Sequence, residues 1–156
     1  MLVRRALLSV FALAALVGLS VTVRADGHSR DDAKAMVYKA ADFLKANGQE
    51  KALAAFNDPK GEFVNGDLYL YVLDAKDPQL PMLAHGVVKA LIGKPQIDVT
   101  DADGKAFNKE MMKSLDAQSE SWVEYRWPNP VTHKIGQKIS FVKKVDGVII
   151  GCGIYE

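Results

Sequence analysis

The carboxy-terminal third of the chain, Ser121 to Tyr155, constrains the fold more than any other stretch. It opens on Ser-Trp-Val-Glu-Tyr-Arg-Trp-Pro-Asn-Pro and closes on Val-Asp-Gly-Val-Ile-Ile-Gly-Cys-Gly-Ile-Tyr. Side chains alternate along a strand with period two. Val123, Tyr125 and Trp127 therefore share one face of the first run, and Trp122, Glu124 and Arg126 share the other. Two Trp and a Tyr within six residues bring aromatic area that must be buried in a core, wrapped around a ligand, or both. Asp146-Gly147 between alternating runs is a hairpin signal, and Asn129-Pro130 supplies the other turn. The spacing predicts a three-stranded meander over 121–127, 137–145 and 147–155.

Upstream, Ser29-Arg-Asp-Asp32 has the form of a capping box, with Asp32 where Glu is usual. Ala33, Met36, Val37, Ala40, Phe43 and Leu44 follow at helical spacing, and Asn47-Gly48 stops the helix. A short second helix spans 49–56, with Leu53 and Phe56 inward, and Asn57 to Gly61 breaks it. Leu68 to Asp74 reads as a strand with Tyr69, Tyr71 and Leu73 on one side and Leu70 and Val72 on the other. Neither side is polar, which predicts a central strand covered on both faces. A short strand is expected at 82–85, one helical turn at 87–92, a loop at 99–104 and a helix at 105–117. Phe107, Met111, Met112 and Leu115 form the apolar side of that last helix. The sum is an α+β domain with helices against a five-stranded antiparallel sheet.

The first 25 residues stand apart. Arg4 and Arg5 precede an almost wholly apolar run from Ala6 to Val23, and Val23-Arg24-Ala25 offers small residues for a signal peptidase. Cleavage after Ala25 is expected. An uncleaved amino-terminal anchor is the rival, because the run approaches the length that spans a bilayer. The remaining 26–156 form one domain. Without Arg4, Arg5 and Arg24 its 17 basic residues face 19 acidic ones, a net charge of −2, and its lysines are scattered. Nucleic-acid binding needs a basic face and is excluded. Cys152 is the only cysteine, so no intramolecular disulfide forms; between Gly151 and Gly153 it reads as a small buried hydrophobe.

Several motifs, in this order and spacing, resemble the single Cache domain family, type 2. They are Lys45-Ala-Asn-Gly-Gln-Glu-Lys-Ala-Leu, Phe63-Val-Asn-Gly-Asp-Leu-Tyr-Leu-Tyr-Val-Leu-Asp, and Leu83-Ala-His-Gly with Gly86 replacing the family's Pro. Leu91-Ile-Gly-Lys, Asp101-Ala-Asp-Gly-Lys, Tyr125-Arg-Trp-Pro-Asn-Pro and the closing Asp146 to Tyr155 run complete them. The resemblance covers about Asp31 to Tyr155. It implies a PAS-like five-stranded antiparallel sheet with amino-terminal helices, a connecting helix, and a cavity between the sheet and the 84–118 segment. It also implies an extracytoplasmic sensor, periplasmic or secreted here. Such a sensor binds a small molecule, a short organic acid such as acetate, propionate or pyruvate, and relays to a separate membrane-bound receptor or histidine kinase. It is not an enzyme and carries no cofactor.

A carboxylate pocket needs an apolar wall and two or three donors, one of them cationic. Tyr69, Tyr71, His85, Tyr125 and Lys138 are the candidate donors, and Trp122 or Trp127 the candidate wall. The competing reading is an accessory subunit that contacts other proteins, its pocket collapsed and filled by those same side chains.

Asp101, Asp103 and Glu110 fall at positions 3, 5 and 12 of a calcium-loop frame, but the first ligand position is Val99. No calcium is expected; Asp101 or Asp103 capping the following helix accounts for the pattern. His28, His85, His133 and Cys152 lack zinc spacing. Covalent haem is excluded for want of Cys-x-x-Cys-His, while non-covalent haem on His85 stays open.

Overall fold

The computed structural model describes residues 27–156; the expected leader at 1–25 lies outside the described residues. The chain runs α1 (Arg30–Asn47), α2 (Gln49–Phe56), β1 (Val64–Asn65), β2 (Leu68–Asp74), β3 (Met82–His85), a 3₁₀ turn (Lys89–Leu91), α3 (Phe107–Ala117), β4 (Glu120–Pro128), β5 (Ile135–Val145) and β6 (Val148–Tyr155). Among the described residues no helix is long and apolar enough to cross a membrane.

α1 begins at the expected box. Ser29 Oγ accepts from Asp32 N at 3.2 Å, and Asp32 Oδ2 accepts from Ser29 N at 2.7 Å. It ends where Gly48, at φ +79°, donates to Leu44 O at 2.9 Å, a conformation that side chains with a Cβ rarely take.

All strand pairs are antiparallel, in the order β1-β2-β6-β5-β4. β3 lies beside β1 on the same edge of β2, because β6 takes the other edge. The five longer strands make the PAS-like sheet. The two-residue β1 is an addition not expected from the sequence, built on the turn at Gly66-Asp67.

α1 packs on β5 and β6 and covers one face of the sheet. Val37, Ala40, Leu44, Phe56 and Phe63 meet Leu70, Val72, Ile139, Phe141, Ile150 and Cys152 there. The opposite face carries Tyr71, Leu73, Met82, Val123, Tyr125, Val142 and Ile149, covered by α3 and the loops before it through Leu80, Phe107, Met111 and Leu115. Both faces of β2 are thus buried. Period-two alternation decides which face a strand residue serves, so the second face is where the Tyr, Lys and His side chains gather.

Candidate functional site

β6 prepares the second face by leaving two positions empty. Ile149, Gly151, Gly153 and Tyr155 alternate on it, so two successive inward positions carry no side chain. A Cβ on Gly151 would overlap the Tyr71 ring. One on Gly153 would crowd Ser140 Oγ and sit 2.8 Å from Lys138 Cε. Tyr71 and Lys138 therefore lie flat across the sheet, where larger residues on β6 would lift them out.

Register then brings the polar groups together. Tyr125 pairs with Lys138, and Lys138 with Tyr155, in one row; Tyr71 pairs with both Gly151 and His85 in another. The result is a cavity lined by Tyr69, Tyr71, Leu73, Met82, His85, Gln96, Phe107, Asn108, Tyr125, Trp127 and Lys138. It offers about 30 Å³ to the centre of a water-sized sphere. One water needs roughly 10–15 Å³ on that measure, so the space suits a few heavy atoms. A haem does not fit it.

Lys138 is the charged group of the site. It is 1% exposed, and its Nζ lies 3.8 Å from the centre of the Tyr69 ring and 4.9 Å from that of Tyr155. Among the described residues no hydrogen-bond acceptor or carboxylate lies within bonding range of Nζ. Burial lowers its pKa to about 7, because a desolvated ammonium is costly.

His85 contributes a directed donor. Its Nδ1 accepts from the backbone N–H of Val88 at 2.9 Å and of Val87 at 3.2 Å. Burial first, and the Lys138 charge second, lower its pKa to about 3. The ring is therefore neutral with its proton on Nε2, and among the described residues no acceptor is bonded to that N–H. Asn57 Oδ1 holds the strand end by accepting from His85 N at 3.0 Å.

The hydroxyls form two groups. Tyr125 Oη and Ser140 Oγ are 2.9 Å apart, with the Tyr71 hydroxyl against both. Tyr69 Oη lies 3.2 Å from Tyr155 Oη, which donates to Pro128 O at 2.8 Å. Burial raises the pKa of all four phenols, that of Tyr125 to about 12, so each stays a neutral hydrogen-bonding group. Phe107 stacks on Tyr125 with centroids 4.2 Å apart and planes 6° apart, and Trp127 meets both rings edge-on at 5.6 and 5.9 Å.

Six of the seven side chains expected at the site line this cavity: Tyr69, Tyr71, His85, Tyr125, Trp127 and Lys138. Trp122 does not. It is an odd number of residues from Tyr125 and Trp127, so it points to the α1 face, where it packs on Phe141 at 5.1 Å beneath Arg30. Asn108 and Gln96, both buried, join the lining without having been expected. Asn108 had a signal: it precedes Met111, Met112 and Leu115 at spacings of three, four and seven, a polar residue within an apolar stripe. Its Nδ2 donates to Gln96 O at 2.7 Å. Gln96, in the loop after Pro95, had none.

The Asp101 loop is a structural brace. Its carboxylate accepts from the backbone N–H of Asp103, Lys105 and Arg126, each at 2.9 Å, and the Arg126 bond is the largest cause of its lowered pKa. It ties the loop to β4 instead of capping α3, whose N-cap, Ala106, makes no side-chain bond. Among the described residues no group of three or more His, Cys, Asp or Glu is arranged to hold a metal. Cys152 is wholly buried, and burial pushes its thiol up to about 12.

A PAS-like sheet with a small aromatic cavity on the face opposite its amino-terminal helices is an architecture shared with sensor domains. The chain belongs to the Single Cache domain 2 family, which matches residues 12–156. Its fold is similar to a structure reported as the basis for carboxylic acid recognition by a Cache chemosensory domain. Identity is 25%, the TM-score is 0.65, and the match covers 80% of this chain and 91% of that one. It is also similar to a methyl-accepting chemotaxis protein from Vibrio parahaemolyticus, with 18% identity, a TM-score of 0.67, and 80% and 86% covered. A periplasmic sensor domain of a chemotaxis protein is 24% identical, with a TM-score of 0.61 and 80% and 88% covered.

Proposed function

We propose that this domain is an exported sensor that binds a small organic acid without transforming it and relays occupancy to a separate signalling partner. The observation that carries the reading is Lys138: a buried ammonium lining a small aromatic cavity, with no carboxylate in ion-pair range among the described residues. An unpaired buried charge is costly, and a ligand carboxylate supplies the missing partner. The neutral His85 Nε2–H and the Tyr71 and Tyr125 hydroxyls line the same cavity, and in this reading they restore the hydrogen bonds that a carboxylate loses on leaving water. The similarity to a carboxylic-acid-recognising Cache domain supports the ligand class. The chemotaxis relatives support the relay, and the periplasmic one supports export, with a leader removed after Ala25.

The small size of the cavity favours one second reading, an accessory subunit whose pocket is filled by its own side chains. A thermal-shift screen against short carboxylates and their amides separates the two. A ligand at about 100 times its dissociation constant stabilises the fold by roughly 2.7 kcal/mol. Carboxylates are expected to shift the melting temperature and amides to leave it in place. A screen silent for every acid would support the collapsed-pocket reading.

A further inference from the structure

Beside the inner cavity lies a second, larger hollow lined by Tyr69, Val87, Val88, Leu91, Trp127, Pro128, Asn129, Pro130 and His133. It offers about 470 Å³ on the same measure as the inner 30 Å³. The two share Tyr69 and Trp127, so these side chains are the partition between them. Trp127 is only half-buried, its cross-strand partner is Gly136, and no described residue accepts from its indole N–H. Its ring meets Phe107 and Tyr125 edge-on and packs against the apolar cluster of that face.

The groove offers a ligand carbon and little else. Asn129 is committed, its Nδ2 to Asp67 at 2.9 Å and its Oδ1 to the backbone N–H of Val131 and Thr132. The Tyr69 hydroxyl is committed to Tyr155. The exposed His133 imidazole and the Trp127 indole N–H are the two side-chain polar groups of this lining that bond to no described residue. Apolar exposure concentrates on the same two segments. Val88 (41%) and Ile92 (38%) lie on one, Val131 (60%) and Ile135 (51%) on the other, and Tyr38 is the one further exposed large hydrophobe among the described residues.

We propose that this groove is the outer half of the ligand site, and that the ligand is an amphipathic monocarboxylate. Its head sits beside Lys138, and its apolar body passes Trp127 to lie against Val87, Val88, Leu91 and Pro130. The proposal rests on the reading of the inner cavity as a carboxylate site. The inner cavity alone holds a few atoms and selects for the acid; the groove on the other side of Trp127 selects for the tail.

Calorimetric titration of the protein with acetate, butyrate and hexanoate tests this. Burying a methylene tightens binding by about threefold to fourfold, so affinity is expected to climb steadily along the series. In Val88→Asp, an exposed position, the ratio of hexanoate to acetate affinity is expected to fall toward one. A flat series in the wild-type protein, with acetate bound, would overturn the outer half and leave the carboxylate reading standing. A rising series unchanged in Val88→Asp would overturn the placement of the tail. If no acid binds, the carboxylate reading and this proposal fail together.

Discussion

Lys138 sets the chemistry of the pocket, and removing its charge separates affinity from stability. Lys138→Met keeps the apolar stem that lies over Gly153. It is expected to weaken carboxylate binding by more than about tenfold, since a charge-assisted bond is lost. Tyr125→Phe removes one neutral donor and keeps the ring stacked on Phe107, at an expected cost of about 1 kcal/mol in binding. Stability moves the other way. The folded pKa of Lys138 is about 7, below the ordinary lysine value of 10.5. Between those values the unfolded chain binds more protons, so the ligand-free domain gains stability as pH rises through this window, and the full penalty applies below it. Lys138→Met is therefore expected to raise the melting temperature of the ligand-free protein more at pH 6 than at pH 10. Equal shifts at both would show that Lys138 is not desolvated. At this scale the polar lining of the cavity was legible in the sequence because Tyr, His and Lys in strands are few and alternation assigns their faces. The same alternation puts Trp122 away from the site, since its three-residue separation from Tyr125 is odd. Gln96 was illegible because its position follows from how a Pro-containing loop folds back, which no period encodes.

Among the elements, β6 decides whether the cavity exists. Gly151→Ala places a methyl group where the Tyr71 ring lies. Overpacking of this kind costs roughly 1–3 kcal/mol, and the displaced ring has only the cavity to move into. Chemical denaturation is expected to show that loss, and titration to show carboxylate binding abolished. Retained binding with unchanged stability would mean that Tyr71 has room elsewhere. The strands and the first two helices were readable because period two, period 3.6, the Ser29 box and the Asp146-Gly147 turn each act locally. α3 starts at Phe107 instead of Lys105 because the Asp101 carboxylate captures the Lys105 N–H for the loop. β1 escaped notice because two residues carry no period at all; it exists through pairing with Leu68 and Tyr69.

For the whole molecule, one sheet separates two tasks. The α1 side is a closed apolar core with Cys152 in it, and the opposite side holds every buried donor of the site. Export of the domain predicts that the native protein begins at Asp26, which amino-terminal sequencing reads directly; an intact leader in the membrane fraction would show an anchored protein instead. The central claim is that the cavity binds an acid through the Lys138 ammonium. Its most direct measurement is calorimetric titration, across pH 6 to 9, of the tightest-binding carboxylate from the screen and of the matching amide. Binding that requires a protonated Lys138 is expected to be strongest below about pH 7. Above it, affinity falls by up to about tenfold per pH unit until the pKa of the complex is reached. The amide is expected not to bind at any pH. A carboxylate affinity that does not change with pH, or an amide that binds as well as the acid, would contradict the account.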